Sequence, residues 1–390
     1  MKGLRLILAL ALLGTLFSLG KFLPCRATNW GAPDVYIKMC YSDIPALYGA
    51  RELDKGVWPY QSEVNSVEYP VITGLVMWAT GLLVNDFKSY FDLNLILLIL
   101  LFLATAILVS RIREEFVSLY LFAPAVLASL FINWDLWAVS LALLAIYLFQ
   151  REKFELSAVT LGIAVATKFF PVVILGAVAL FFWRDLRSTL RYFTISVATW
   201  LVINLPVAVT NFGGWSRFYR MNIERGSDLG SLWLALELNG VKIARIGTIL
   251  VAAVSLLWLF NRALQSPEKD FDSFTINIFI LVALFVMLSP VYSPQYVLWL
   301  TPLGVIAMRD KSQRSAFWIW QGAEALYHFA IWQYLALNAG AKFGLSEGYY
   351  SLAIVIRVLA LAWFVRALIH SPRSNFTMSV SRDTLSHLRG

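Results

Sequence analysis

The chain has 390 residues, of which 59% are apolar, 15% aromatic and only 14% charged, and its mean hydropathy is +0.69. Soluble domains carry about a quarter charged residues, so this composition excludes a water-soluble globule. The formal net charge of +8 is not gathered into basic runs with interleaved aromatics, so we expect no nucleic-acid partner and assign the excess Lys and Arg to cytoplasmic loops.

The chain divides into twelve apolar segments, and a membrane-spanning helix needs about 20 mostly apolar residues. The segments lie at 5–23, 70–84, 92–110, 116–132, 134–150, 156–183, 192–210, 243–260, 274–290, 296–308, 316–337 and 348–368. Lys2 and Arg5 precede the first segment, and Lys21-Phe22-Leu23-Pro24 follows it instead of the small residues of a cleavage site. We therefore predict an uncleaved first helix with a cytoplasmic amino terminus.

Two segments cannot be simple spans if Lys and Arg are to stay on the cytoplasmic side. Segment 70–84 makes about 22 Å of helix, too short for a hydrocarbon core of about 30 Å, so we predict an interfacial helix. Segment 156–183 carries Lys168 shortly before Pro171, and we predict two short helices that meet at the exoplasmic face. Twelve crossings remain, both termini are cytoplasmic, and 24–91 is a long first exoplasmic loop with interfacial helices.

Three polar residues on the predicted exoplasmic face allow both structural and functional interpretations. Ser42 or Asp43 can cap a helix, or Asp43 can act in catalysis. Asp135 follows Trp134 and either caps the next helix or forms a second acid that faces Asp43 across a cavity. Lys168 lies in apolar sequence, and we favour an anion-binding cation over a structural ion pair.

Three further exoplasmic stretches also remain open to two interpretations. Glu68 is either a solvated charge or a ligand of sugar hydroxyls. The loop 215–228 carries arginines that can grip a phosphate by forked hydrogen bonds or bind lipid headgroups. Residues 289–296 form a turn broken by Pro290 and Pro294, which either places side chains in a cavity or simply connects two helices.

The remaining candidate groups give weaker signals. Cys25 and Cys40 can form a disulfide if their segment is exoplasmic, and two free thiols are the alternative. His328 lies mid-segment, and we favour a hydrogen-bonded core histidine. No nucleotide-binding glycine loop, zinc pattern or Gly-x-Ser-x-Gly elbow occurs in the sequence, so ATP-driven chemistry and metallohydrolysis lack support.

The order of short motifs resembles the GT-C class of membrane glycosyltransferases over about residues 1–370. More narrowly, it is similar to the actinobacterial polyprenol-phosphate-mannose-dependent mannosyltransferases of glycosyltransferase family 87. The motifs are Tyr41-Ser42-Asp43-Ile44-Pro45, Pro59-Tyr60, Glu68-Tyr69-Pro70, Asn133-Trp134-Asp135, Ala166-Thr167-Lys168-Phe169-Phe170-Pro171 and Arg225-Gly226-Ser227-Asp228. Mycobacterial relatives carry paired histidines after the step that Ser289-Pro290 resembles, whereas this chain has Gln295-Tyr296 there, so no histidine role is transferred.

The resemblance implies an all-α polytopic membrane protein with a GT-C fold and about 12 transmembrane helices. Residues 1–370 would form a single catalytic domain and 371–390 a flexible cytoplasmic tail. It also implies an inverting hexosyltransferase, with mannose as the expected sugar, that uses a polyprenyl-phosphate donor and a glycolipid or glycan acceptor. The reaction would take place at the outer face of a bacterial plasma membrane.

The resemblance and the residue chemistry together assign roles to individual side chains. Asp43 corresponds to the family's general base. The other predicted substrate-binding residues are Lys168, Arg217 and Arg225 near the phosphate, Glu68 and Asp135 on sugar hydroxyls, and Asp228 and Gln295. No cofactor is assigned apart from the lipid-linked donor, and a divalent metal is left open. A transporter or flippase of lipid-linked sugar precursors is the alternative function, and a noncatalytic membrane scaffold is the third.

Overall fold

The computed structural model describes residues 2–241 and 270–370, together with Val254, Leu257, Trp258 and Asn261. Within these residues the chain is helical and contains no strand. The helices are α1 (Lys2–Ala27), α2 (Asp34–Ile37), α3 (Asp43–Ala50), α4 (Val71–Gly81), α5 (Phe87–Arg113), α6 (Val117–Leu121), α7 (Pro124–Ser129), α8 (Asp135–Gln150), α9 (Phe154–Thr167), α10 (Ile174–Phe181), α11 (Leu186–Thr210), α12 (Phe212–Glu224), α13 (Leu232–Leu238), α14 (Phe271–Leu288), α15 (Val297–Ala307), α16 (Arg314–Asn338) and α17 (Glu347–His370). The predicted tail 371–390, and all but isolated residues of the predicted segment 243–260, lie outside the described residues.

Five helical stretches within the described residues are long and apolar enough to cross a membrane. They are Gly3–Ala27, Phe87–Leu121, Leu186–Thr210, Phe271–Leu288 and Glu347–His370. Large apolar side chains point outward on several of them; on α11, for example, Val202 is 73% and Val209 76% exposed. Because water would penalise such a surface, this apolar exterior is consistent with a polytopic membrane protein. The count of twelve crossings stays a prediction.

The predicted break in segment 156–183 is confirmed. Helix α9 ends at Thr167, and Lys168 takes an extended backbone conformation with φ −149° and ψ 145°. A 3₁₀ turn at Phe170–Val173 contains Pro171 and leads into α10. Proline interrupts the helical hydrogen-bond ladder, so the charged side chain of Lys168 projects from a break between two helices.

Segment 70–84 forms the short helix α4, as predicted, with 11 residues. Eleven residues make about 16 Å of helix, too short to cross the hydrocarbon core. The hydroxyl of Thr73 in α4 donates a 2.6 Å hydrogen bond to the carbonyl of Thr167. Helix α4 is therefore tied to the break that carries Lys168.

Segment 116–132 is not the single helix that its apolar composition predicts. It divides into a 3₁₀ turn at Glu114–Phe116 and the short helices α6 and α7. Ala123 between the two helices is extended, with φ −65° and ψ 110°. The physical reason is Pro124, which disfavours the helical conformation in the residue before it.

Helix α15 lies at the centre of the bundle, and every residue of Val297–Ala307 is buried. It packs against α5, α6, α7, α8 and α14, while α16 packs along α17 and α9 lies between α8 and α11. Helix α15 is hydrophobic all round, as expected of a helix enclosed by other helices.

Two ion pairs join connecting segments at the end of the bundle where α5 ends and α14 begins. Arg113 at the end of α5 pairs with Asp272 at the start of α14 at 2.5 Å, and Lys311 lies 3.8 Å from Glu115. The opposite end contains the start of α8 at Asp135 and the end of α9 at Thr167. Arg113 and Lys311 thus lie at the end of the bundle opposite the one where the first loop meets Asp135 and Lys168.

Cys25 and Cys40 form a disulfide, which resolves the two alternatives that the sequence left open. The bond joins the last turn of α1 to the segment that leads into α3, and both cysteines are fully buried. Residues 26–39 therefore form a closed loop immediately before Asp43.

Candidate active site

A cavity of about 740 Å³ opens where the first loop meets the turn before α8, the end of α9, helix α12 and the loop after it, the turn before α15 and helix α16. This volume lies within the usual range for small-molecule sites. The charged and amide side chains that line it are Asp43, Glu68, Asn133, Lys168, Asn222, Glu224, Arg225, Asp228 and Gln295. Of the eight predicted site residues, the six that line it are Asp43, Glu68, Lys168, Arg225, Asp228 and Gln295, whereas Asp135 and Arg217 do not.

Ser42 caps helix α3, so the carboxylate of Asp43 is not used as the helix cap and lines the cavity. Ser42 is the N-cap residue, and its hydroxyl accepts a hydrogen bond from the amide of Ile44 at 3.2 Å. The same hydroxyl donates to the carbonyl of Phe131 at 2.7 Å, and the amide of Asp43 donates to the carbonyl of Ile132 at 2.7 Å. The turn before α8 therefore fixes the position of Asp43 through its backbone.

Two tyrosines contact the Asp43 carboxylate. The hydroxyl of Tyr69 donates to Oδ2 at 3.1 Å, and Tyr41 forms a second hydrogen bond to the same carboxylate. Burial raises the pKa of Asp43, although these hydrogen bonds and the charge of Lys168 oppose that rise. The charge of Asp43 and burial raise the pKa of Tyr41, so this tyrosine remains a hydrogen-bond donor at neutral pH.

Asp135 and Lys168 form an ion pair at the wall of the cavity. Lys168 Nζ lies 2.7 Å from Asp135 Oδ1, and the side chain of Asp135 is fully buried. The indole nitrogen of Trp299 donates to Oδ2 at 2.7 Å. The ammonium also lies 4.6 Å from the ring centre of Tyr69, within range for a cation–π contact. Lys168 lines the cavity, whereas Asp135, its ion-pair partner, does not.

Glu68 connects α3, the first loop and α12. Its carboxylate accepts a 3.0 Å hydrogen bond from Arg51 Nε, and Arg217 Nη2 lies 3.2 Å away. Arg217 also donates to the backbone carbonyls of Glu63 and Val64. Arg217 thus joins helix α12 to the first loop through hydrogen bonds to Glu63, Val64 and Glu68.

We expect Glu68→Gln to lower the free energy of unfolding by about 1–2 kcal/mol, because it weakens three charge-assisted hydrogen bonds from two mostly buried arginines, Arg51 and Arg217. The matched control is Glu63→Gln, since Glu63 pairs with Arg220 at 3.5 Å and its side chain is 63% exposed. An exposed pair contributes about 0–1 kcal/mol. Thermal and denaturant unfolding in detergent measure both effects, and equal losses in the two variants would contradict this role of Glu68.

Arg225 and Asp228 form the opposite rim. Arg225 Nε donates to Asp228 Oδ2 at 2.6 Å, and both side chains are about one-third exposed. The amide of Asp228 donates to the carbonyl of Pro290 at 2.8 Å, and the amide of Tyr292 donates to that of Leu229 at 3.2 Å. These bonds join the Arg225 loop to the proline-rich turn that carries Gln295.

A buried ion pair that the sequence analysis missed supports this turn. Arg357 and Glu324 are 0% and 1% exposed and lie 2.9 Å apart. Arg357 donates to the carbonyls of Tyr292 at 2.7 Å and Ser293 at 3.1 Å. The hydroxyl of Tyr292 donates to Glu324 at 2.7 Å. The available signal was an arginine inside the apolar segment 348–368, since charges in such segments pair inside the bundle.

Gly230 permits the close approach of the two loops. Its φ is +78°, and an added Cβ would overlap the carbonyl oxygen of Tyr292 and the hydroxyl of Tyr327. Its amide donates to the hydroxyl of Tyr350 at 2.8 Å. Only glycine tolerates both the left-handed backbone and this contact.

The structure also places the predicted core histidine and allows a search for metal-holding groups. His328 is buried, and its Nε2 accepts a 3.0 Å hydrogen bond from the indole of Trp332, as expected of a core histidine. Among residues 2–241 and 270–370, no group of three or more His, Cys, Asp or Glu side chains is placed to hold a metal ion.

The lining residues from the turn before α8, the end of α9 and most of α12 lie between residues 132 and 222. A family model described as Mannosyltransferase (PIG-M) matches residues 132–222. No curated protein gives a significant match to the chain. The matched stretch contains Asn133, Asp135, Lys168 and Arg217, whereas Asp43 and Arg225 lie outside it.

The match supports a glycosyltransferase enzyme, with mannose as the favoured sugar. It therefore favours the enzyme over the transporter that the sequence also allowed. The assignment to glycosyltransferase family 87 stays a prediction. A lipid-linked sugar donor is consistent with the matched family.

Proposed function

We propose that this glycosyltransferase moves mannose from a polyprenyl-phosphate donor to a lipid or glycan acceptor, with inversion at the anomeric carbon. The observation that carries the proposal is the placement of the Asp43 carboxylate and two cations, Lys168 and Arg225, on one cavity. A base and a cationic phosphate site are the two groups that this transfer requires.

The reaction is a single displacement. The acceptor hydroxyl oxygen forms a bond to the anomeric carbon while the bond from that carbon to the phosphate oxygen breaks. The phosphate oxygen keeps the electron pair, and the hydroxyl proton passes to Asp43. Because the attack comes from the face opposite the leaving group, the anomeric configuration inverts.

Lys168 and Arg225 are the proposed partners of the leaving phosphate. The polyprenyl phosphate gains negative charge as it departs, so fixed cations stabilise the transition state more than the ground state. Arg225 is paired with Asp228 and Lys168 with Asp135. These carboxylates hold the cations at the cavity wall before the donor arrives.

The other predicted site residues divide by position. Glu68, Asp228 and Gln295 line the cavity, and we propose that they bind sugar hydroxyls. Asp135 is buried behind Lys168, and Arg217 clamps the first loop. For these two we propose positioning roles in place of direct substrate contact.

We propose that the cavity faces the exoplasmic side of a bacterial plasma membrane. The disulfide at the base of the first loop supports this side, because disulfides persist in oxidising compartments. The positions of Arg113 and Lys311 at the opposite end of the bundle also support it, since Lys and Arg concentrate in cytoplasmic loops.

The test uses the full chain, purified in lipid nanodiscs, with a membrane lipid extract as acceptor. Radiolabelled polyprenyl phosphate mannose is expected to give labelled glycolipid whose new linkage has the configuration opposite to that of the donor. GDP-mannose at the same concentration is expected to give none. Transfer from the nucleotide sugar, or retention of configuration in the product, would overturn the proposal.

A further inference from the structure

His328 is a buried histidine that the proposed transfer mechanism does not use. It lies on α16, and only 5% of the residue is exposed. The indole nitrogen of Trp332, one turn later on the same helix, donates to Nε2 at 3.0 Å. Because an indole N–H can only donate, Nε2 carries no proton, and the imidazole is neutral with its proton on Nδ1. That nitrogen lies 3.5 Å from the hydroxyl oxygen of Ser129.

A first route leads from His328 to Asp43 through aromatic rings. Trp332 is 3% exposed and lines the cavity, and its ring centre lies 5.5 Å from that of Tyr41. Tyr36 packs on both rings, with centres 6.3 Å from Trp332 and 5.9 Å from Tyr41. Tyr41 in turn forms a hydrogen bond to the carboxylate of Asp43. The position of the Trp332 ring therefore determines where the hydroxyl of Tyr41 meets this carboxylate.

A second route leads from His328 to the backbone of Asp43. Ser129 is fully buried in the last turn of α7, and its hydroxyl donates to the carbonyl of Pro294 at 3.3 Å. The carbonyl of Ser129 accepts from the amide of Ile132 at 3.2 Å, and the carbonyl of Ile132 accepts from the amide of Asp43 at 2.7 Å. His328 therefore contacts the turn that holds the backbone of Asp43.

We propose that His328 is a positioning residue for the general base, because the routes from both of its ring nitrogens end at Asp43. This inference rests on the proposed function and adds to it a residue that does not line the cavity. The acceptor hydroxyl must lie within hydrogen-bond distance of the base, and a small misplacement of a catalytic group can slow a reaction about 10²-fold. Tyr69 also donates to the carboxylate of Asp43, so loss of His328 shifts the base without releasing it.

The test uses the full chain in nanodiscs and three variants of these contacts. His328→Phe keeps a buried ring and removes both ring nitrogens. His328→Gln returns a hydrogen-bond acceptor near the position of Nε2. Trp332→Phe keeps an aromatic ring at the cavity wall and removes the donor to His328.

We expect His328→Phe and Trp332→Phe to lower kcat for mannose transfer about tenfold or more, with donor affinity within about threefold of wild type. His328→Gln is expected to stay within about threefold of the wild-type kcat, because its amide oxygen accepts the indole N–H. The matched control is Tyr192→Phe, which removes a buried 2.7 Å hydrogen bond to Ser157. Tyr192 does not line the cavity, so its variant should stay within about twofold of wild type.

A double-mutant cycle with Asp43→Asn separates positioning from stability. A variant that only lowers the amount of folded protein reduces the rate by the same factor in both backgrounds. If His328 acts through the base, His328→Phe leaves the residual rate of Asp43→Asn within about twofold. Trp332→Phe gives the same cycle if His328→Phe does not fold. Equal factors in both backgrounds, or a wild-type rate in His328→Phe, would overturn the inference.

A second measurement is independent of turnover. The protein is labelled with 3-fluorotyrosine, and the 19F resonance of Tyr41 is identified by its absence in Tyr41→Phe. We expect this resonance to shift or broaden in His328→Phe and to keep its wild-type position in His328→Gln and Tyr192→Phe. An unchanged Tyr41 resonance in His328→Phe would overturn the inference. A failure of the proposed function would appear instead as the absence of mannose transfer in wild type.

Discussion

Asp43→Asn is expected to slow mannose transfer about 10²–10⁴-fold, the usual contribution of a positioned general base. Asparagine has nearly the same shape, and its amide oxygen still accepts hydrogen bonds from Tyr41 and Tyr69, so the fold should be retained. The amide cannot take the proton of the acceptor hydroxyl. The measurement is the initial rate of labelled mannose transfer at saturating donor, with donor affinity measured in parallel and expected to stay within about threefold of wild type.

The control variant is Asp34→Asn. Asp34 is exposed, pairs with Lys38 at 3.0 Å and does not line the cavity that contains Asp43. Substitutions of this kind change free energies by about 0.5 kcal/mol, so we expect a rate within about twofold of wild type. Wild-type turnover in Asp43→Asn would refute the assignment of the base.

The pH dependence gives a second readout of Asp43. A general base must be ionised to accept a proton, so the rate falls as pH decreases through its pKa. Burial raises that pKa above the ordinary aspartate value, so the acid limb should lie at higher pH than for an exposed aspartate. The residual activity of Asp43→Asn should lack this limb, and an unchanged limb would assign the titration to another group.

Arg357→Met is expected to lower the free energy of unfolding by about 3–5 kcal/mol, because it leaves the carboxylate of Glu324 buried without its charge partner. It also removes the two hydrogen bonds to the carbonyls of Tyr292 and Ser293. The turn that carries Gln295 would then lose its support. Denaturant and thermal unfolding in detergent measure the stability loss. The control is Arg191→Met, whose partner Glu155 is 55% exposed and whose effect should be about 0–1 kcal/mol.

The double variant Glu324→Met/Arg357→Met separates stability from positioning. Replacing both members of a buried ion pair by apolar side chains is often neutral, so we expect the double variant to be more stable than Arg357→Met alone. Mannose transfer should remain well below wild type, since nothing replaces the donors to the turn. Wild-type transfer in the double variant would show that the pair serves stability alone.

The sequence predicted the local features whose causes are local. Pro171 and the charge of Lys168 predicted the break between α9 and α10, and the structure confirms it. The short helix α4 followed from the length of its apolar segment. Segment 116–132 shows the limit of composition alone, because the conformation of Ala123 depends on its proline neighbour, and a count of apolar residues overlooks that neighbour.

The assignment of individual site residues depended more on the fold. Both Asp43 and Asp135 begin helices after a short polar step, and nothing local distinguishes them. Packing distinguishes them, because Trp299 and Lys168 enclose Asp135, while the cap by Ser42 leaves Asp43 at the cavity. Arg357 lies more than 300 residues from Asp43 in the chain, and its contact with the turn before Gln295 has no local signature.

By itself, the content of 59% apolar and 14% charged residues indicated a membrane protein, and the positions of Lys and Arg predicted which connecting segments share a side. Those conclusions follow from the transfer energies of single residues, which depend on composition and order alone. The tertiary structure decided which charges pair and which line the cavity. These properties arise from contacts between residues distant in sequence, and such contacts exist only once the helices have packed.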